Sequence, residues 1–151
     1  MTETRILLES QAVRFSLAVA DLRWEGEVMA AHYRLSKTED LANQNHAQYR
    51  TLLEQYDAEF HRAIIAGCRS QWILRFHAAV YDQMLRYRSL AHKAVDAAQV
   101  GAMLQRSQRD HVILRDAALA KDADCLVELL QLHIHKGEEF AQNYDRHRNP
   151  G

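Results

Sequence analysis

Proline occurs once in these 151 residues, at position 150, and glycine only five times. A chain so poor in helix breakers, and so rich in Ala, Leu, Arg, Glu and Gln, has the local preferences of an all-helical protein. No segment shows sustained period-two alternation, which argues against a sheet as the organising element. A dominant charge sign is missing too: Lys+Arg 19 stand against Asp+Glu 20, a net charge of -1, so bulk charge recruits neither nucleic acid nor an anionic membrane. Charges interrupt every apolar run well before the ~20 residues needed to cross a bilayer. The opening MTETRILLES lacks the hydrophobic run of a signal peptide. Cysteine is confined to Cys68 and Cys125, far apart and without metal-type spacing, so the expectation is two buried thiols in a soluble, cytoplasmic protein.

With 48% hydrophobic residues, the chain is long enough for one domain with a real core. A first helix is expected from about Glu3 to Val19, and DLRWEGEVMAAHYRLSK starts a second at a possible Asp21 cap. SKTEDLANQ reads as the next break, with Thr38 to Leu41 capping a third helix that runs to about Gly67. CRSQW is a turn. Helix four spans Ser70 to about His92, its apolar residues spread widely enough to bury most of its girth. KAVDAAQVG is either a loop or a short extra helix ending at Gly101. Helix five holds LQRSQRDHVILRDAALA, KDAD turns the chain, and helix six runs from about Asp124 to Tyr144. The fold class expected is all-α, an antiparallel bundle of about six helices over residues 1–145, with 146–151 as a flexible tail.

Histidine is abundant: nine in one small domain. Most are read as surface residues, or as core residues satisfied by one hydrogen bond, and His32, His46, His92 and His147 stay in that group. In YDAEFHRAI, Asp57 and His61 stand one helical turn apart beside Leu53, Phe60, Ile64 and Ile65. His111 shares its face with Leu114 and Ala118. His133 shares its face with Leu126, Leu129, Leu130, Gly137 and Phe140, whereas His135 is flanked by Gln131, Glu138 and Glu139 and faces water. Three inward imidazoles and one carboxylate, from three helices, form a nitrogen/oxygen set that suits zinc, nickel, manganese or iron with positions left open. A buried Asp is costly to ionise alone, and a divalent metal satisfies all four groups at once. The i,i+4 Asp/His pair by itself is a weak signal, because an Asp-to-His hydrogen bond on a helix needs no metal.

The order of these pieces resembles the FCD domain, the C-terminal effector-binding domain of GntR-type (FadR-like) transcriptional regulators. RILLESQAVRFSLA carries the family's Arg and Leu-Glu as Arg5, Leu8 and Glu9. Asp57 to His61 match its Asp-x-x-Phe-His motif, and DHVILRDAALAKD, Asp110 to Asp122, its acid-His segment. The family's last histidine falls eleven residues after that Asp, at His133, which the facing argument selects independently. The helix-two and helix-four sequences look like the branch containing carbon-starvation regulators. Ser70-Gln71 replaces the family's frequent Asn-Pro.

The resemblance implies a homodimeric, metal-dependent sensor of a small organic acid, with the metal on Asp57, His61, His111 and His133. Arginines would clamp the effector carboxylate: Arg86 first, then Arg88 and Arg5, with His77 as a further pocket candidate. DNA would be contacted only through a winged helix-turn-helix, and these residues offer no recognition helix with basic flanks. The expectation is therefore a piece of a regulator or a natural stand-alone sensor, and not an enzyme. The rival is a metal-dependent hydrolase, which lacks a second acid or base at a useful spacing such as the Glu of an H-E-x-x-H helix.

Overall fold

The computed structural model describes residues 1–92 and 96–148, with the side chains of all but His92 and residues 144–148. Six helices are found among them: α1 Thr2–Leu17, α2 Leu22–Gln44, α3 His46–Ile65, α4 Gln71–His92, α5 Ala97–Leu119 and α6 Ala123–Arg148. No strand is present among the described residues. None of the helices is long and apolar enough to cross a membrane.

Helix starts are set by side-chain caps, as a chain short of glycine and proline requires. Asp21 Oδ1 accepts from Trp24 N–H at 2.9 Å, Asn45 Oδ1 from Gln48 N–H at 3.2 Å, and Asp96 Oδ1 from Gln99 N–H at 2.8 Å. Asp122 Oδ1 does the same for Cys125 N–H at 3.0 Å. Three expected boundaries differ. The segment SKTEDLANQ does not break the chain: Thr38 Oγ1 donates back to the Arg34 carbonyl at 2.9 Å inside α2, and the break comes at Asn45. Asp96 opens α5, which then runs through Gly101 without interruption, while Lys93–Val95 lie outside the described residues. Helix α6 continues to Arg148, three residues into the expected tail, and residues 149–151 lie outside the described residues.

The helices pack pairwise, α2 along α3, α6 against α1 and α5, α5 also on α2, and α1 on α3 and α4. Val28 and Leu35 of α2, Phe60 and Ile64 of α3, Leu114 of α5, and Leu126 and Leu130 of α6 are fully buried in one core. At the end of α3 the chain crosses close to α1. Ser16 Oγ donates to the Ile64 carbonyl at 2.7 Å and accepts from Gly67 N–H at 2.9 Å. A Cβ on Gly67 would sit 2.9 Å from Ser16 Oγ and 3.0 Å from the Ser16 carbonyl oxygen, so glycine is required there for the two helices to approach. Helix α4 buries less than its sequence suggests: Trp72, Phe76 and Leu90 are exposed, because its partners cover only the side carrying His77, Tyr81 and Met84. Cys68 is buried as expected, whereas Cys125, in the first turn of α6, is exposed.

Candidate metal centre

His61 leaves α3, His111 leaves α5 and His133 leaves α6, and all three are buried at one point of the bundle. Each offers a ring nitrogen within 4.8 Å of those of the other two. Phe60 lies edge-on to both His61 and His111, with ring centroids 5.8 and 5.6 Å away, and walls the cluster off from the core. His135 is exposed beside Glu138, as its helical phase requires.

Each imidazole meets a carboxylate at Nδ1. Glu9 Oε1 lies 3.1 Å from His61 Nδ1, Glu39 Oε1 2.6 Å from His111 Nδ1, and Asp110 Oδ2 3.3 Å from His133 Nδ1. A histidine that donates Nδ1–H to a carboxylate keeps its Nε2 lone pair, the arrangement that orients metal-binding histidines in general. The Nε2 atoms of His61 and His111 are buried without a hydrogen-bond partner. Such orphaned atoms are rare in a folded protein, and a cation beside them would remove the cost. The residues therefore fit a divalent metal of the borderline kind, such as zinc.

Asp57 stands beside this triad and is shared. Its Oδ1 is 3.3 Å from His111 Nε2, poorly aligned for a hydrogen bond, and 4.0 Å from His61 Nε2. Its Oδ2 accepts from the Tyr81 hydroxyl at 2.6 Å and from Arg88 Nη2 at 2.9 Å. Burial opposes ionisation of Asp57, yet the Arg88 charge and the neighbouring imidazoles hold it well below the usual carboxylate range. Burial also disfavours each imidazolium, pushing His133 down to about 3 and lowering His61. In His111 the same burial is outweighed by Asp57 and Glu39, which raise it to about 9.

Glu9 is the hub of a second layer. Burial works against its charge, but Arg5, donating Nε–H to Oε2 at 2.8 Å, keeps it ionised, and His77 Nε2 approaches the same oxygen at 3.2 Å. Arg5 also stacks over the Tyr81 ring at 4.6 Å. Glu9, Glu39, Asp110 and Tyr81 surround the triad without having been expected there: Glu9 and Asp110 entered the sequence reading only as matches to family motifs, and Glu39 and Tyr81 not at all. Glu9 shares a face with Arg5, Ala12 and Val13 at helical spacing, and Tyr81 falls four residues after His77, so both were detectable as inward polar groups. Glu39 was hidden by the misplaced break.

Asp57, His111 and His133 line one wall of a solvent-open cavity of about 70 Å³, several times what one water needs. Arg5 and Arg88 also line it. Arg86 does not: two residues from Arg88 is about 200° around a helix, and the exposed Arg86 borders a separate shallow depression with Leu85 and Ser89. His77 is packed on Glu9 and is not a cavity residue.

A family model, the FCD domain, matches residues 1–136. Among curated proteins, the chain is 36% identical over 148 residues to a protein of Paraburkholderia xenovorans (strain LB400) named as an uncharacterized HTH-type transcriptional regulator, BphR, covering 95% of this chain and 56% of that one. It is 29% identical over 138 residues to the HTH-type transcriptional repressor GlaR of Escherichia coli (strain K12), covering 87% of this chain and 58% of that one. The chain thus spans a little over half the length of these relatives. No solved structure matches it. The chain belongs to the FCD family, a family of effector-binding regulatory domains.

Proposed function

We propose that this FCD domain senses a small organic acid through a divalent metal held by His61, His111 and His133 with Asp57 beside them, within a GntR-type regulator that binds DNA through a winged helix-turn-helix. The observation that carries this reading is the set of three Nδ1-to-carboxylate pairs, which turn three imidazoles toward one point on the wall of an arginine-lined cavity. When bound, the metal would supply a concentrated positive charge for a carboxylate. The protein's own contribution is orientation and exclusion of water. Glu9, Glu39 and Asp110 fix the rings, Phe60 seals the inner side, and Arg88 presents a second cation to an incoming acid. Because Arg88 is already held by Asp57, an acid that engages it loosens the tie from α4 to α3, a route by which occupancy reaches helix packing.

A sensor fits better than a hydrolase. Glu9, Glu39, Asp57 and Asp110 are each paired with a histidine, arginine or lysine, which favours a role in orienting the rings over one as general base. The domain also pairs with a second copy, since α1 and α4 leave Leu7 at 72%, Trp72 at 67% and Phe76 at 54% exposure. Calorimetric titration of small organic acids into zinc-loaded and chelator-stripped protein tests the sensing reading. Binding that requires zinc and is lost in Arg88→Ala supports it; equal binding with and without zinc overturns it.

A further inference from the structure

Helix α4 supplies none of the three imidazoles, yet its inner face reaches the centre through two hydrogen-bond donors. His77, Tyr81, Met84 and Arg88 recur at helical spacing and form one stripe along the helix. Tyr81 and Arg88 end on the same atom, Asp57 Oδ2, the hydroxyl at 2.6 Å and Nη2 at 2.9 Å. A carboxylate oxygen has two lone pairs, and two donors use both on Oδ2. Oδ1 is the oxygen that faces the imidazoles, 3.3 Å from His111 Nε2 and 4.0 Å from His61 Nε2.

These two donors are not equivalent. The Arg88 side chain keeps 22% exposure and lines the cavity, where an incoming acid competes for it. Tyr81 is 2% exposed and is not a cavity residue. Its ring packs against the Arg5 guanidinium, 4.6 Å from the ring centre, and against the His61 and His77 rings, with centroids 5.7 and 5.6 Å away. Arg5 is itself fixed by Glu9 at 2.8 Å, so the tyrosine is held from α1 as well as from α4. A phenol ionises only near pH 10, and at neutral pH it remains a donor.

We infer that Tyr81 is a positioning residue that keeps Asp57 to one ligand oxygen, Oδ1, by holding Oδ2 whether or not Arg88 is drawn away. This role rests on the metal centre proposed above, with Asp57 as its fourth ligand. A carboxylate bound through one oxygen takes one coordination position instead of two, and the position it spares is open to a ligand from the cavity.

Infrared difference spectroscopy between zinc-saturated and zinc-free protein tests the role. The antisymmetric and symmetric carboxylate stretches are widely separated when one oxygen binds a metal and closer together when both do, and selective 13C labelling of aspartate assigns the bands. The unaltered protein should show the wide separation. Tyr81→Phe keeps the buried ring and removes only the hydroxyl; it should narrow the separation and lower zinc affinity about tenfold, the effect of losing a group that orients a ligand. Arg88→Ala leaves the Tyr81 bond in place and should keep the separation wide. A narrow separation in the unaltered protein would overturn the role of Tyr81 and leave the metal centre standing. So would a wide separation that survives Tyr81→Phe, even with weakened zinc binding, since a merely structural hydroxyl would give that result. Narrowing in Arg88→Ala and not in Tyr81→Phe would transfer the role to Arg88 and overturn the assignment. An unaltered protein that takes up no zinc would overturn the metal centre and the role together.

Discussion

At the scale of single residues, the proposed metal centre divides into histidines that would hold an ion and carboxylates that would aim them. His111→Ala and His133→Ala each remove one donor from a site with few to spare, and zinc retained after dialysis should fall from stoichiometric to a minor fraction. His135→Ala should leave it unchanged, since that ring faces water. Glu39→Gln keeps the shape but weakens the acceptor at His111 Nδ1, and zinc affinity should drop about 10- to 100-fold; an unchanged affinity would show that the ring needs no such partner. His32, across the Phe60 ring from the triad, offers a further check. It is buried against the edge of Phe60, 5.4 Å between centroids, and burial together with the Arg115 cation lowers its pKa to about 4. An NMR titration should therefore find its midpoint near 4 instead of near 6.5. The unfolded chain takes up that proton first, so this residue's contribution to stability is complete above pH 6.5 and is lost as pH falls from there toward 4.

At the scale of helices, two contacts decide how α1 and α3 meet. Gly67→Ala forces a Cβ against the Ser16 backbone as well as its hydroxyl, which cannot be relieved by a rotamer change, and should cost about 1–3 kcal/mol in urea denaturation. This scale also shows what the sequence made legible. Scarce glycine and proline, the Asp21 cap and the inward phases of His61, His111 and His133 were readable because each depends on local propensity or on one helix's own periodicity. The α2–α3 boundary was not. Ser36, Thr38 and Asp40 are residue types that open helices, but Thr38 spends its hydroxyl inside α2, and Glu39 thereby falls one turn after Leu35 on the buried face. Arg86 was preferred over Arg88 for a related reason: the choice depends on α4's rotation, and its apolar residues lie on both sides. The carboxylates of Glu9 and Asp110 were visible as residues, while their pairing with His61 and His133 depends on packing between different helices, which one-helix patterns do not encode.

At the scale of the whole molecule, the six helices of the described residues bring the histidine triad to the wall of a cavity, and the exposed aromatic pair on α4 is where the proposed self-association is tested. Trp72 and Phe76 stack 6.1 Å apart on the outside of α4, and their joint replacement by Ser should move the sedimentation coefficient from dimer to monomer at micromolar concentration without lowering zinc content. A dimer that persists would place the interface elsewhere. The central claim is that the buried histidines form a metal centre, and native mass spectrometry of the freshly purified protein addresses it most directly. The account predicts one divalent ion per chain in the folded species, removable by chelator, restored by added zinc and missing from His111→Ala. A folded chain that stays at its metal-free mass after exposure to excess zinc would contradict it.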